Sequence, residues 1–164
     1  MRLSMRRIFG KGHGMEQKTC FFIGHRDAPE ELRPLLAEAV ERHITQYGVT
    51  EYIVGHYGRF DAMAASAVRA AKQQHPEISL VMLLPYYPFP YDTDDYDATF
   101  YPPGMETVPK PFAIVRANEY MIRNTDYLIC YDRGQIGKTR DFMELARQRE
   151  RKGLIHIENL ADNP

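Results

Sequence analysis

Cys20-Phe21-Phe22-Ile23-Gly24-His25-Arg26-Asp27 is an apolar run that ends on a glycine and empties into polar residues. A run this short and this apolar reads as a buried strand. Asp27, with Glu30 three residues on, reads as a capping box opening a helix. Leu32, Leu35, Leu36, Ala39, Val40, His43, Ile44 and Tyr47 then recur at helical spacing until Gly48 stops the pattern. Strand, glycine turn and helix together are the opening of an α/β unit.

The unit repeats along the chain. Tyr52-Ile53-Val54 is a second short strand, ending at Gly55, and Asp61 opens an alanine-rich helix running to about Gln74, before Pro76. Leu80-Val81-Met82-Leu83-Leu84 is a third strand, apolar throughout and so covered on both faces. An irregular stretch, 85–111, leads to a helix over about Phe112 to Arg123. Tyr127–Tyr131 is the fourth strand. The helix from about Lys138 to Arg151 ends in Arg147, Arg149, Arg151 and Lys152, where cations suit the dipole. Leu154–Ile157 is the fifth strand. Strands alternating with helices predict a single Rossmann-like, three-layer α/β domain over 18–164: an open, mostly parallel five-stranded sheet with helices on both faces. Residues 1–17 show no periodicity and are expected to be a disordered leader, or the product of an over-early start with Met15 as the alternative.

Composition narrows the function. The chain has 164 residues, a size that suits one core. Its 21 Lys+Arg against 22 Asp+Glu give a net charge of −1, which argues against a protein that lives on nucleic-acid phosphates. No apolar run approaches the roughly 20 residues that cross a bilayer. Cys20 and Cys130 make no disulfide framework and fit a reducing cytoplasm. The histidines show no metal-ligand spacing with the cysteines, so no metal is expected, and His43 on an apolar helix face reads as a core residue.

In an open parallel sheet, ligands bind beyond the carboxyl ends of the strands, where the strand order switches. The first such end offers Gly24-His25-Arg26: a glycine for close approach, a histidine able to donate or accept a hydrogen bond, and an arginine able to hold a phosphate bidentately. The second is Gly55-His56-Tyr57-Gly58-Arg59-Phe60-Asp61, where Asp61 is a helix cap or an acceptor for a ribose hydroxyl. The fourth, Asp132-Arg133-Gly134-Gln135-Ile136-Gly137-Lys138-Thr139, ends like a P-loop. The P-loop's first glycine would stand at Asp132, and the motif follows the wrong strand, so an ATPase is rejected; a phosphate cradle at a helix N-terminus is retained.

These pieces, with Tyr101-Pro102-Pro103-Gly104-Met105-Glu106-Thr107-Val108-Pro109 and Asn118-Glu119-Tyr120-Met121-Ile122, fall in the order found in a known family. The chain resembles the SLOG superfamily, the group containing the DprA and Lonely Guy proteins, and within it the YpsA-related branch. The resemblance covers about Thr19 to Ile157. It implies a nucleotide or nucleotide-derived ligand, such as ADP-ribose or an NAD-like molecule, with no required cofactor. By position it lands on Gly24, His25, Arg26, Gly55, Gly58, Asp61, Asn118, Gly137 and Thr139, with Lys138 entering the phosphate loop and Arg116 standing near the family's Arg-Asn pair, here Ala117-Asn118. Lonely Guy hydrolases carry a glutamate three residues after the loop threonine; here that residue is Phe142.

The expectation is a cytoplasmic binding protein or sensor for a small nucleotide-type ligand, with no membrane partner, with nucleic acid ranked low as a partner, and with self-association left open. The alternative is a nucleotide N-glycosidase, for which Asp61, Glu119 and Asp132 are the candidate carboxylates. The DNA-binding role of the DprA relatives ranks third. Seven of the 11 prolines and five of the 11 tyrosines fall between Leu84 and Phe112. That stretch reads as a semi-rigid lid over the crevice, or as a surface excursion with its aspartates in solvent.

Overall fold

The computed structural model describes residues 17–162. The leader expected over 1–17 therefore lies, but for Gln17, outside the described residues. Six strands run through the domain: β1 (Thr19–Gly24), β2 (Glu51–Val54), β3 (Ser79–Leu83), β4 (Ala98–Phe100), β5 (Tyr127–Tyr131) and β6 (His156–Asn159). Four helices connect them: α1 (Leu32–Thr45), α2 (Arg59–Lys72), α3 (Lys110–Asn124) and α4 (Lys138–Arg151).

The strands form one sheet in the order β4-β3-β2-β1-β5-β6, and every pairing is parallel. The chain builds outward from β1 to β4, crosses back through α3, and continues on the other side of β1 with β5. The order thus switches between β1 and β5, and α1 with α2 lie on one face while α3 with α4 lie on the other. Alternation along the strands serves both faces. Cys20, Phe22, Tyr52, Val54, Leu80, Ile129 and Tyr131 pack under α1 and α2. Phe21, Ile23, Ile53, Val81, Leu83, Leu128 and Cys130 pack under α3 and α4. A sheet buried on both sides demands continuous apolar runs, and β1, β3 and β5 supply them.

The expected three-layer α/β architecture is present, with three differences. The sheet has six strands rather than five, because Ala98–Phe100 in the irregular stretch pairs with Val81–Leu83 as an edge strand. Its three residues carry too little pattern to signal a strand; pairing holds them, together with the Asp97 carboxylate, which accepts the Leu80 N–H at 2.7 Å. The last strand lies two residues later than expected. Leu154 is half exposed, and the strand ends at Asn159, whose side-chain amide donates to the Asp132 carbonyl at 2.9 Å and accepts the Asp132 N–H at 3.1 Å. Finally, α1 starts at Leu32 and no side chain caps it. Glu30 instead pairs with Arg33, and 25–31 is a turn-rich loop that leaves Asp27 exposed.

Cys20 lies opposite Tyr127, and Cys130 lies opposite Ile23, so the thiols are three register positions apart on opposite sheet faces. Both are free and buried. His43 is fully buried, its Nδ1 2.7 Å from the Ala39 carbonyl, and burial lowers its pKa. No described helix is long and apolar enough to cross a membrane.

Candidate functional site

A cavity of about 310 Å³ opens at the carboxyl ends of β1 and β5, at the switch in strand order. That volume is at the small end of ordinary ligand sites. Three segments build it. The end of β1 and its turn contribute Phe22 to Asp27; the loop after β5 and the first turn of α4 contribute Gln135 to Thr139, with Phe142; α3 contributes Ile114, Val115 and Asn118 from one helix face. Tyr57 and Asp61 close the side toward β2.

The cavity has an apolar wall and a polar mouth. Phe22, Ile23, Ile114, Val115 and Phe142 form the wall. Arg26 and Lys138 supply positive charge, and both are exposed at the rim. The α4 N-terminus carries backbone N–H groups free of intrahelical partners, in the geometry that favours anions. Its cap residue, Gly137, has φ +150° with no atom within 4 Å of where a Cβ would stand. The backbone is therefore open to close approach at a conformation that side-chain-bearing residues rarely adopt.

Asp61 is the one carboxylate among the three catalytic candidates that lines this cavity. It sits in the first turn of α2, and its Oδ2 accepts the Tyr57 backbone N–H at 2.9 Å. Burial pushes its pKa up to about 7, against the opposing pull of that hydrogen bond and of the Arg26 charge. A carboxyl that exchanges its proton near neutrality is suited to acid–base work.

Other expected site residues have structural positions. Gly24 lines the cavity, but a Cβ there would stand 2.3 Å from the Phe60 ring, so the glycine also admits that ring to the core. Gly55 lies behind Asp61, where a Cβ would come 2.9 Å from Oδ2. Gly58 has φ +108°, and a Cβ would stand 2.7 Å from the Arg26 Cα; beside it the Arg59 N–H donates to the Arg26 carbonyl at 2.9 Å. Gly58 thus serves the seam between two loops and Gly55 leaves room for the Asp61 carboxylate; neither lines the cavity. Arg116 is exposed on α3 and Glu119 is half-buried, and neither lines the cavity. Asp132 belongs to a separate polar cleft with Arg133, Arg140 and Arg147. There its buried carboxylate accepts Arg147 Nη2 at 3.1 Å and the Gly134 N–H at 2.9 Å. His25, Arg26, Asn118, Gly137, Lys138 and Thr139 all meet in the cavity as expected.

The stretch expected as a lid or a surface excursion lies beside the cavity rather than in its lining. No residue of 85–111 lines the cavity. Phe89 is buried beside the end of β3, and Tyr91 lies against His56. This segment flanks the site on the β2–β3 side. Sequence reasoning also passed over Tyr57 and the apolar wall; the i, i+1, i+4 spacing of Ile114, Val115 and Asn118 was the available signal. Among the described residues no group of three or more His, Cys, Asp or Glu is placed to hold a metal ion.

No protein-family model matches the sequence, and no curated protein matches it. Among solved structures, the chain is similar to DNA processing protein A from Helicobacter pylori, which binds single-stranded DNA: TM-score 0.54, 15% identity, 87% of this chain and 76% of that one. It is also similar to the Moco carrier protein from Chlamydomonas reinhardtii, with TM-score 0.49 and 12% identity over 88% of this chain and 91% of that one. The second likeness is too distant to carry an argument. The first shows a shared fold: this chain has the Rossmann-like α/β architecture of DNA processing protein A.

Proposed function

We propose that the protein is a SLOG-type binder, of the YpsA-related branch, for a nucleotide or nucleotide-derived small molecule held in the switch-point cavity. One observation carries this reading. The open N-terminus of α4, with Lys138, faces the same cavity as Arg26, and the wall beyond is apolar. An anionic group would sit on the helix terminus and the cations, and a flat apolar group against the wall. His25, Asn118 and Thr139 would supply the directional hydrogen bonds. On this reading 18–164 acts as one domain. The two buried, unpaired thiols suit a reducing cytoplasm.

The test is a thermal-shift panel of nucleoside mono- and diphosphates, ADP-ribose, NAD⁺ and a short single-stranded oligonucleotide. A ligand at about 100 times its Kd adds roughly 2.7 kcal/mol to stability. The proposal expects a small nucleotide-type molecule to do so. Stabilisation by the oligonucleotide alone would replace it with a nucleic-acid function, which the shared fold with a single-stranded DNA-binding protein makes worth testing.

Asp61 favours a second reading, hydrolysis of an N-glycosidic bond. Water would add at the ribose C1′, the C–N bond would break, and the departing base would take a proton. A carboxyl with a pKa of about 7 can remove the proton from water or stabilise the oxocarbenium-like centre. Phe142 in the cavity wall leaves the Lonely Guy glutamate position without a carboxylate, so Asp61 would act alone. Release of free base from a nucleoside monophosphate, lost in Asp61→Asn, would establish this reading. Turnover that survives the substitution would remove it.

A further inference from the structure

Beside the cavity stands an aromatic pair that the binding reading leaves unused. The His56 and Tyr91 rings are 4.3 Å apart at 33°. Both residues are exposed, Tyr91 to 44%. Beneath them Phe89 is buried, 5.2 Å from Tyr91 and 6.1 Å from His56, so the pair rests on a fixed base. His56 is also next in chain to Tyr57, a cavity-lining residue, with ring centroids 6.4 Å apart. A series of aromatic rings therefore leads from the cavity-lining Tyr57 through His56 to the exposed Tyr91. Arg26 lies at the cavity rim, and Arg59 is hydrogen-bonded to its backbone.

We propose that His56 and Tyr91 form a stacking subsite for a second, electron-poor ring of the ligand, whose first part occupies the cavity. The inference rests on the binding reading above and sharpens its ligand class to a two-ring molecule linked through phosphate. Large exposed aromatics on a rigid base are what flat rings bind to. The electronic preference follows from the surroundings. The phenol face carries negative potential, and the Asp92 carboxylate follows Tyr91 directly in an exposed turn, where its Oδ1 accepts the Asp94 N–H at 2.8 Å. A cationic or electron-poor ring is drawn to such a face more strongly than an electron-rich one.

The experiment is calorimetric titration of AMP, ADP-ribose, NAD⁺ and NADH into the wild-type protein, Tyr91→Ala and Tyr91→Phe, with folding of each variant checked by its thermal midpoint. The expected result is NAD⁺ binding about tenfold or more tighter than ADP-ribose, as one stacked ring is worth. NADH should fall below NAD⁺, since its nicotinamide is uncharged. Tyr91→Ala should bring NAD⁺ down to the ADP-ribose level while leaving ADP-ribose and AMP unchanged, and Tyr91→Phe, which keeps the ring, should bind like wild type. Equal affinities of wild type for NAD⁺ and ADP-ribose, or a uniform loss of all four ligands in Tyr91→Ala, would overturn the subsite while leaving the cavity reading standing. NADH binding as tightly as NAD⁺ would overturn the electronic preference. Failure of all four to bind wild type would overturn the subsite, while the cavity reading stands or falls on the wider thermal-shift panel above.

Discussion

The Asp61 carboxylate accepts the backbone N–H of Tyr57 at 2.9 Å, so a helix residue and the loop before it are tied across the side of the cavity. The bond and the nearby Arg26 do not offset the burial of the carboxyl, and its pKa rises from 3.8 to about 7. The folded state therefore binds this proton more tightly than the unfolded chain does. The contribution is fully present below about pH 4 and is lost as pH rises toward 7. Asp61→Asn keeps an oxygen for the Tyr57 N–H and removes the charge. It should match wild type near pH 4 and be more stable at pH 8 by on the order of 2 kcal/mol, allowing for partial hydration. Denaturant unfolding of both proteins at the two pH values checks this. A variant less stable than wild type at pH 8 would contradict it.

Gly58 holds the two loops together at a place where no Cβ fits. Gly58→Ala meets both a positive φ of 108° and the Arg26 backbone at 2.7 Å. It should cost about 2 kcal/mol or more. Gly48→Ala is the control, with φ +72° but open space around it, and should cost about 1 kcal/mol. Equal losses in the two variants, read from denaturant midpoints, would show that the loop seam is not tightly packed.

Arg147 is the cation on the buried Asp132 carboxylate, 3.1 Å away. Arg147→Ala leaves that carboxylate with the Gly134 N–H and should destabilise the fold by about 1–3 kcal/mol. The cleft it lines is separate from the cavity, so ligand binding in the cavity should be unchanged. A binding loss without a stability loss would move the site to this cleft.

Burial raises the pKa of both the Cys20 and the Cys130 thiols, with little thiolate available at neutral pH. Neither should react appreciably with a disulfide reagent in the folded protein, and both should react after denaturation. Rapid modification of the native protein would contradict the buried positions on opposite sheet faces.

The legible parts of this structure are those set by local pattern. Tyr127–Tyr131 is legible as a strand because it is a continuous run between polar residues. The end of Lys138–Arg151 is legible in its terminal cations. The features that were missed depend on distant partners. Ala98–Phe100 is a strand only because β3 offers an edge. The last strand is set by Asn159 reaching the Asp132 backbone across 27 residues of sequence. The site divides the same way. Gly24-His25-Arg26 and Gly137-Lys138-Thr139 are local motifs and meet as expected. Gly58 looks like a ligand-approach glycine in sequence, but its requirement comes from Arg26, 32 positions away, which only the folded chain brings near.

The most direct measurement is a crystal structure of the protein with the ligand that stabilises it best, compared with Arg26→Ala under the same conditions. The account predicts an anionic group at the N-terminus of α4, against the backbone of Gly137 to Thr139 and within reach of Arg26 and Lys138, with Arg26→Ala folded and its cavity empty. Ligand found instead in the Asp132–Arg147 cleft, or bound unchanged in Arg26→Ala, would contradict it.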